Sequence, residues 1–295
     1  MKYLVYLVYG GVQYNQEALY ALMSFYKYHA GNNITVVLYT DDEAFFNSRL
    51  PQGVVYVGLS PETITEWKGA SGFNHRLKIK ALQDACTRFE GSILYCDTDT
   101  HFTQNAEYLF TTIAQGGIVF HKAEGALATG KGNVARKMRA FFVENQEFTI
   151  PSESQSLHIT SALQVWNAGV IGFSTQYAHV LQKVLELTDA FCQKSDIFVL
   201  EQVAFNYYFQ QLAVPVSAEK EVEHYWYFKE FRQVLAHFFQ YHSSTPLNVL
   251  VAETDKILPY NLSEEKRAYK RMGFWQKQWT KLSKGAKWRI TPYRL

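Results

Sequence analysis

The stretch "SILYCDTDTHF", residues 92–102, opens as an apolar strand and closes on two aspartates, Asp97 and Asp99, one residue apart. In an open α/β sheet, ligands bind outside the carboxyl ends of the strands. On extended backbone the side chains at i and i+2 share a face, so Asp97 and Asp99 aim together and Thr98 aims away. Two close carboxylates repel unless something positive lies between them. A hard divalent cation, Mn²⁺ or Mg²⁺, takes oxygen ligands and leaves coordination positions for phosphates. The bland alternative is a pair of acids capping a turn. His101 is also in phase and is a rival ligand, unless the chain turns after Asp99.

Working outward, the neighbouring segments repeat the strand–helix alternation of βαβ units. "YLVYLVY" (3–9), "ITVVLYT" (34–40), "GVVYVGL" (53–59) and "SILYC" (92–96) read as strands, and "NQEALYALMSFYKYH" (15–29) and "HRLKIKALQDACTRF" (75–89) as helices. Strands that are apolar on both faces predict a mostly parallel sheet covered on both sides. Further on, "GGIVFH" (116–121) reads as a strand, and "EGALATGKGNV" (124–134) as a mobile loop. "VWNAGVIGF" (165–173) is expected to be a strand with a bend at Asn-Ala-Gly, followed by helices over 176–193, 200–212 and 229–242. The expected fold class is α/β: a Rossmann-like mixed sheet flanked by helices, with a basic helical tail. The only clear boundary falls near 260, giving a body over 1–260 and a tail over 261–295.

The chain has 295 residues, 47% hydrophobic and 16% aromatic, enough for one large core. No apolar run reaches the roughly 18 residues that span a bilayer, and the start "MKYLVYLVYGG" reads as a first strand rather than a signal peptide. Cys86, Cys96 and Cys192 are odd in number and form no CxxC, which fits a reducing, cytoplasmic compartment. The net charge of +2 hides a split. Residues 266–295 hold ten Lys/Arg and no acid, while everything before them carries 19 bases against 27 acids. Such a tail is expected to meet something anionic.

Several of these segments, in their order, resemble the GT-A glycosyltransferases, and glycosyltransferase family 8 with its bacterial lipooligosaccharide galactosyltransferases in particular. "SILYCDTDTHF" is similar to the family's DxD segment, "HRLKIKALQDA" to the Arg-Leu-Lys helix before it, "VWNAGVIGF" to the Asn-Ala-Gly strand, "EQVAFN" to the Asp-Gln element and "HYWYFK" to the late His with its downstream Lys. The likeness covers roughly residues 3–230. It implies a nucleotide-sugar donor, UDP-sugar first, a glycan or glycolipid acceptor, a Mn²⁺ or Mg²⁺ ion and retention of anomeric configuration. Two departures stand out: the acid before Gln202 is Glu201, and "HYWYFK" lacks the HxxGxxKPW form.

The resemblance assigns Asp97, Asp99 and His224 to the metal. It places Arg76, Thr98 and Lys229 on the donor, with Asn167, Gly169, Glu201 and Gln202 around the sugar or the attacking hydroxyl. On a helix, residues 76 and 80 share a face and 78 does not. Arg76, whose planar fork suits phosphate oxygens, is expected at the diphosphate, and Lys78 and Lys80 in solvent. Gly10 and Gly11 permit close approach of a base on which Tyr9 would stack. No GxGxxG occurs, so a dinucleotide fingerprint is absent.

In the tail, Met272, Trp275, Trp279 and Leu282 fall at helical spacing, opposite Lys270, Lys277, Lys281 and Lys284. A basic helix with Trp on its other face is a membrane-surface pattern, here on the inner face of the cytoplasmic membrane; the alternative is that the stripe docks on the body. Nucleic acid is not expected, since no binding module accompanies the charge. Rival readings of the whole chain are a sugar-1-phosphate nucleotidyltransferase and a non-catalytic nucleotide or glycan binder. The first would carry a basic Gly-rich stretch after the first strand, and "YGGVQYNQE" has no Lys or Arg.

Overall fold

The computed structural model describes residues 1–288 except 30, 32, 131 and 286, and leaves the side chain of Lys284 aside. Seven strands form the central sheet: β1 (Lys2–Val8), β2 (Ile34–Thr40), β3 (Val55–Gly58), β4 (Ser92–Cys96), β5 (Val119–Phe120), β6 (Val170–Ser174) and β7 (Val216–Ser217). Their spatial order is β7-β5-β6-β4-β1-β2-β3. β1 pairs in parallel with both β2 and β4, while β6 runs antiparallel to β4 and β5. The sheet is therefore mixed with a parallel half, as its apolar strands predict.

Strands β1 to β6 divide their residues between two cores. Tyr3, Val5 and Leu7 of β1 pack on one face, Leu4, Tyr6 and Val8 on the other. The first face is covered by the helices Arg76–Arg88, Ala178–Cys192 and Leu200–Phe209, the second by Val12–His29 and Phe231–Tyr241. The expected strand over 165–173 is split. Gln164–Trp166 pairs with Ala123–Ala126 as a separate ribbon, and β6 begins only at Val170. The break falls on Asn167-Ala168-Gly169, as the bend predicts. The segment read as a loop from 124 thus supplies a strand, because Ala and Gly backbone can pair even where the side chains give no pattern.

Because β6 runs against β4, its start meets the carboxyl end of β4. The Asp97 N–H donates to the Gly169 carbonyl at 2.8 Å, so the acids after β4 and the Asn-Ala-Gly turn before β6 are stitched together. The helix Glu264–Arg271 packs against Glu230 through Lys266, whose ammonium pairs with that carboxylate at 2.5 Å. The helix Phe274–Lys284 follows.

Candidate active site

A cleft of 1290 Å³ opens at the carboxyl ends of β1 and β4. At its base, one ligand atom from each of Asp97, Asp99 and His224 falls within 4.8 Å of the others. His224 reaches this point through the short strand Val222–His224, paired antiparallel with Thr100–Phe102, which sets His224 opposite Thr100. Its Nε2 lies 3.0 Å from Asp99 Oδ1 and 3.9 Å from Asp97 Oδ2.

The orientation of the His224 ring follows from the groups behind it. The Gly169 N–H donates to Asn167 Oδ1 at 3.0 Å, which identifies that atom as the oxygen. His224 Nδ1 lies 2.9 Å from the same oxygen and must be the donor. With Nδ1 turned to Asn167, Nε2 is the ring nitrogen that faces the acids, 3.0 Å from Asp99 Oδ1 and placed to ligate a cation held between them. Gly169 matters for space rather than backbone strain: a Cβ there would fall 2.1 Å from the His224 ring.

Cations already lean on the acids. Lys229 Nζ sits 2.5 Å from Asp99 Oδ2. Burial by itself would push the Asp99 carboxyl up, but the His224 ring and the Lys229 ammonium outweigh it and hold the group well below the usual carboxylate range. Lys78 is 3.1 Å from Asp97, 3.8 Å from Glu201, and donates to the Ala168 carbonyl at 2.9 Å. Burial works against its charge, yet Asp97 and Glu201 leave its pKa raised.

This reverses the sequence-based assignment of the cations. Lys78, expected in solvent, is buried in the site; Lys80 is half-buried. Arg76, expected on a phosphate, does not line the cleft: its guanidinium donates to both oxygens of Asp189, at 2.8 and 3.1 Å, and to the Trp67 carbonyl. Helical spacing states which residues share a face; here the face carrying Lys78 is the one turned inward.

The remaining expected residues divide. Tyr9, Gly10, Thr98, Asn167, Gly169, Glu201, Gln202 and Lys229 line the cleft. Gly11 does not; it opens the helix Val12–His29, its carbonyl accepting from the Tyr14 N–H at 3.0 Å and its φ of 124° suiting only glycine. The Gly10 N–H is held by Asp41 at 2.9 Å. His101 stays out of the cluster, because Thr100 Oγ1 closes a turn onto the Asp97 carbonyl and breaks the strand phase.

Glu124 and Arg232 are among the cleft residues that carried no expectation. Glu124 accepts from Asn167 Nδ2 at 2.9 Å and from Gln202 Nε2 at 3.0 Å, one amide per oxygen. Gln202 Oε1 in turn accepts from the Ala168 N–H at 3.1 Å. A continuous chain thus runs from Asp99 through His224, Asn167 and Glu124 to Gln202. Arg232 is paired with Glu17 at 2.8 Å. Glu201 is buried and its Oε2 has no hydrogen-bond partner.

His101 instead provides a test of stability. Burial pushes its imidazole down to about 4, and its nearest acid, Glu223, lies 3.5 Å away and is itself pushed up by burial. The unfolded ring binds a proton near pH 6.5, which the folded ring refuses until about 4. Stability is therefore intact above pH 6.5 and falls as pH drops through that window, by about 2–3 kcal/mol. Urea unfolding at pH 7 and pH 4.5 checks this: His101→Gln should remove that share of the pH dependence, and an unchanged slope would show that the ring does not carry it.

No family model and no curated protein matches the chain. Among solved structures, similar chains include mouse xyloside xylosyltransferase 1, with 12% identity, a TM-score of 0.47, and coverage of 73% of this chain and 84% of that one. Another is the galactosyltransferase LgtC in complex with donor and acceptor sugar analogs, with 11% identity, a TM-score of 0.48 and coverage of 73% of each chain. A third is the glycosyltransferase GlyE of Streptococcus pneumoniae TIGR4, with 15% identity, a TM-score of 0.45, and coverage of 84% of this chain and 52% of that one. These likenesses are distant, and the side chains of the cleft decide the chemistry.

Proposed function

We propose that this protein is a metal-dependent GT-A glycosyltransferase, moving a sugar from a nucleotide diphosphate, UDP-sugar first, to a glycan or lipid-linked acceptor. The observation that carries this reading is the convergence of Asp97, Asp99 and His224 at the carboxyl end of β4, on the floor of the cleft. The cleft is larger than the roughly 300–1,000 Å³ of a site for one drug-sized ligand, which suits a donor and an acceptor together.

The donor set fits the ion. Two carboxylates and an imidazole with Nε2 available suit Mn²⁺ better than Mg²⁺. When bound, the ion would supply Lewis-acid stabilisation of the charge that grows on the departing diphosphate. The chain's own residues supply the rest. Lys229, half exposed beside Asp99, adds a second positive charge for the phosphates. Asn167, Gln202 and Glu124 present a hydrogen-bonded polar wall to the sugar. Glu201 offers Oε2 to a sugar hydroxyl, with Lys78 and His75 beside its other oxygen. The test is calorimetric titration of UDP with Mn²⁺ and again with EDTA. Tight binding only with the metal supports the reading; equal binding with EDTA removes the metal, and no binding of UDP, GDP or CDP removes the transferase.

The tail is proposed as a unit that docks on an anionic membrane surface, placing the enzyme on the inner face of the cytoplasmic membrane near a lipid-linked acceptor. No helix among the described residues is long and apolar enough to cross a membrane. On the helix Phe274–Lys284, Trp275, Trp279 and Leu282 are 81%, 73% and 81% exposed, so the stripe is not covered by the body. Lys277 and Lys281 share this helix; the Lys284 side chain, Arg289 and Arg294 lie outside the described residues. Anionic headgroups contribute about 1 kcal/mol per basic residue near the surface. Trp275→Ser with Trp279→Ser should cut co-sedimentation with phosphatidylglycerol-containing vesicles at least tenfold and leave UDP binding as it was. Equal sedimentation would sink the docking role.

A further inference from the structure

A second ion pair reaches the same cleft. Arg232 lies in the first turn of the helix Phe231–Tyr241, three residues after Lys229. Its Nε and Nη2 donate to the two oxygens of Glu17, at 2.8 and 3.1 Å. Glu17 Oε2 also accepts from Thr98 Oγ1 at 3.4 Å, so the pair touches the residue between the two aspartates. The guanidinium carbon stands 4.5 Å from the centre of the Tyr14 ring. Tyr14, Thr98, Lys229 and Arg232 all line the cleft.

The pair is asymmetric. The Glu17 side chain is 1% exposed and that of Arg232 26%, so the acid sits behind and the cation in front. A pair that only joined two helices would have no need to face the cleft. A guanidinium has five N–H donors in a rigid fork; two are spent on Glu17, and the ring of Tyr14 fixes the plane in which the others lie.

We propose that Arg232 is a phosphate-binding residue for the donor diphosphate, its fork oriented by Glu17 and by the face of Tyr14. This rests on the glycosyltransferase reading. Planar forks bind paired phosphate oxygens in a way a lysine does not reproduce. The experiment is calorimetric titration of UDP with Mn²⁺ into the full chain, with Arg232→Gln, Arg232→Lys and Glu17→Gln/Arg232→Gln. Arg232→Gln should weaken UDP at least tenfold, and Arg232→Lys should recover only part of that. The single variant strands Glu17 without its counter-charge and lowers the melting temperature. The double variant removes that stranded charge, so it should regain the melting temperature and not the affinity. Wild-type affinity in Arg232→Gln, or recovery of affinity in the double variant, would overturn the proposal and leave a purely structural pair. A wild-type chain that binds no nucleoside diphosphate would overturn the transferase reading first, and this with it.

Discussion

Asp99→Asn is expected to abolish Mn²⁺-dependent binding of UDP, with affinity lowered at least 100-fold and little left that EDTA can remove. The carboxylate occupies the centre of the cluster: Oδ1 meets His224 at 3.0 Å and Oδ2 meets Lys229 at 2.5 Å. An amide keeps the shape but removes the charge, and amide nitrogen cannot ligate a hard cation. Changing a group that only hydrogen-bonds to a metal's ligand typically lowers metal affinity 10- to 100-fold, so loss of a charged ligand should exceed that. The same variant leaves Lys229 and the His224 ring without their acid, so circular dichroism and a melting curve must accompany the titration. A folded Asp99→Asn that still binds UDP with Mn²⁺ would end the metal role of the paired aspartates.

The aspartates were legible because two independent signals coincide at residues 97–99: an apolar strand that ends there, and an i, i+2 pair of acids. The strands were legible for a similar reason. β1, β2 and β4 are buried on both faces, so their sequences are continuous apolar runs bounded by charge or glycine. What was not legible depends on distant partners. Arg76 is claimed by Asp189, 113 residues away, and no local pattern announces that pairing. Glu124 joins the site only because its strand pairs with Gln164–Trp166, across a segment whose Ala and Gly carry no periodicity.

Two misses did leave a signal. Within the helix Arg76–Arg88, Lys78 is in phase with Ala81, Leu82 and Ala85, all buried. Within Val12–His29, Glu17 is in phase with Tyr20, Ala21 and Ser24, all buried. In each case a charge occupies the first position of an i, i+3, i+4, i+7 buried stripe. A charge placed so must be paired inside, because the cost of burying it alone is several kcal/mol. Both lie near the helix end that faces the cleft, where the pairing partners are the site's own residues.

Lys78→Met tests this directly and is the second large effect. Methionine fills much of the volume, so the packing of the stripe survives and the missing charge is what is read. Removal of Lys78 leaves Asp97 and the buried Glu201 without their shared cation and the Ala168 carbonyl without a donor. Breaking a buried pair from one side costs about 3–5 kcal/mol; Asp97 is partly open to solvent, so about 3 kcal/mol is the expected loss in urea unfolding. Glu201→Gln in the same chain should return part of it, since a neutral amide needs no counter-charge. Donor chemistry should not return with stability. Asp97 would lose the ammonium that orients it, and the Ala168 turn would lose the contact that ties it to the helix Arg76–Arg88. A double variant that regained both stability and turnover would assign Lys78 to the fold alone. Regained stability without turnover would place it in the site.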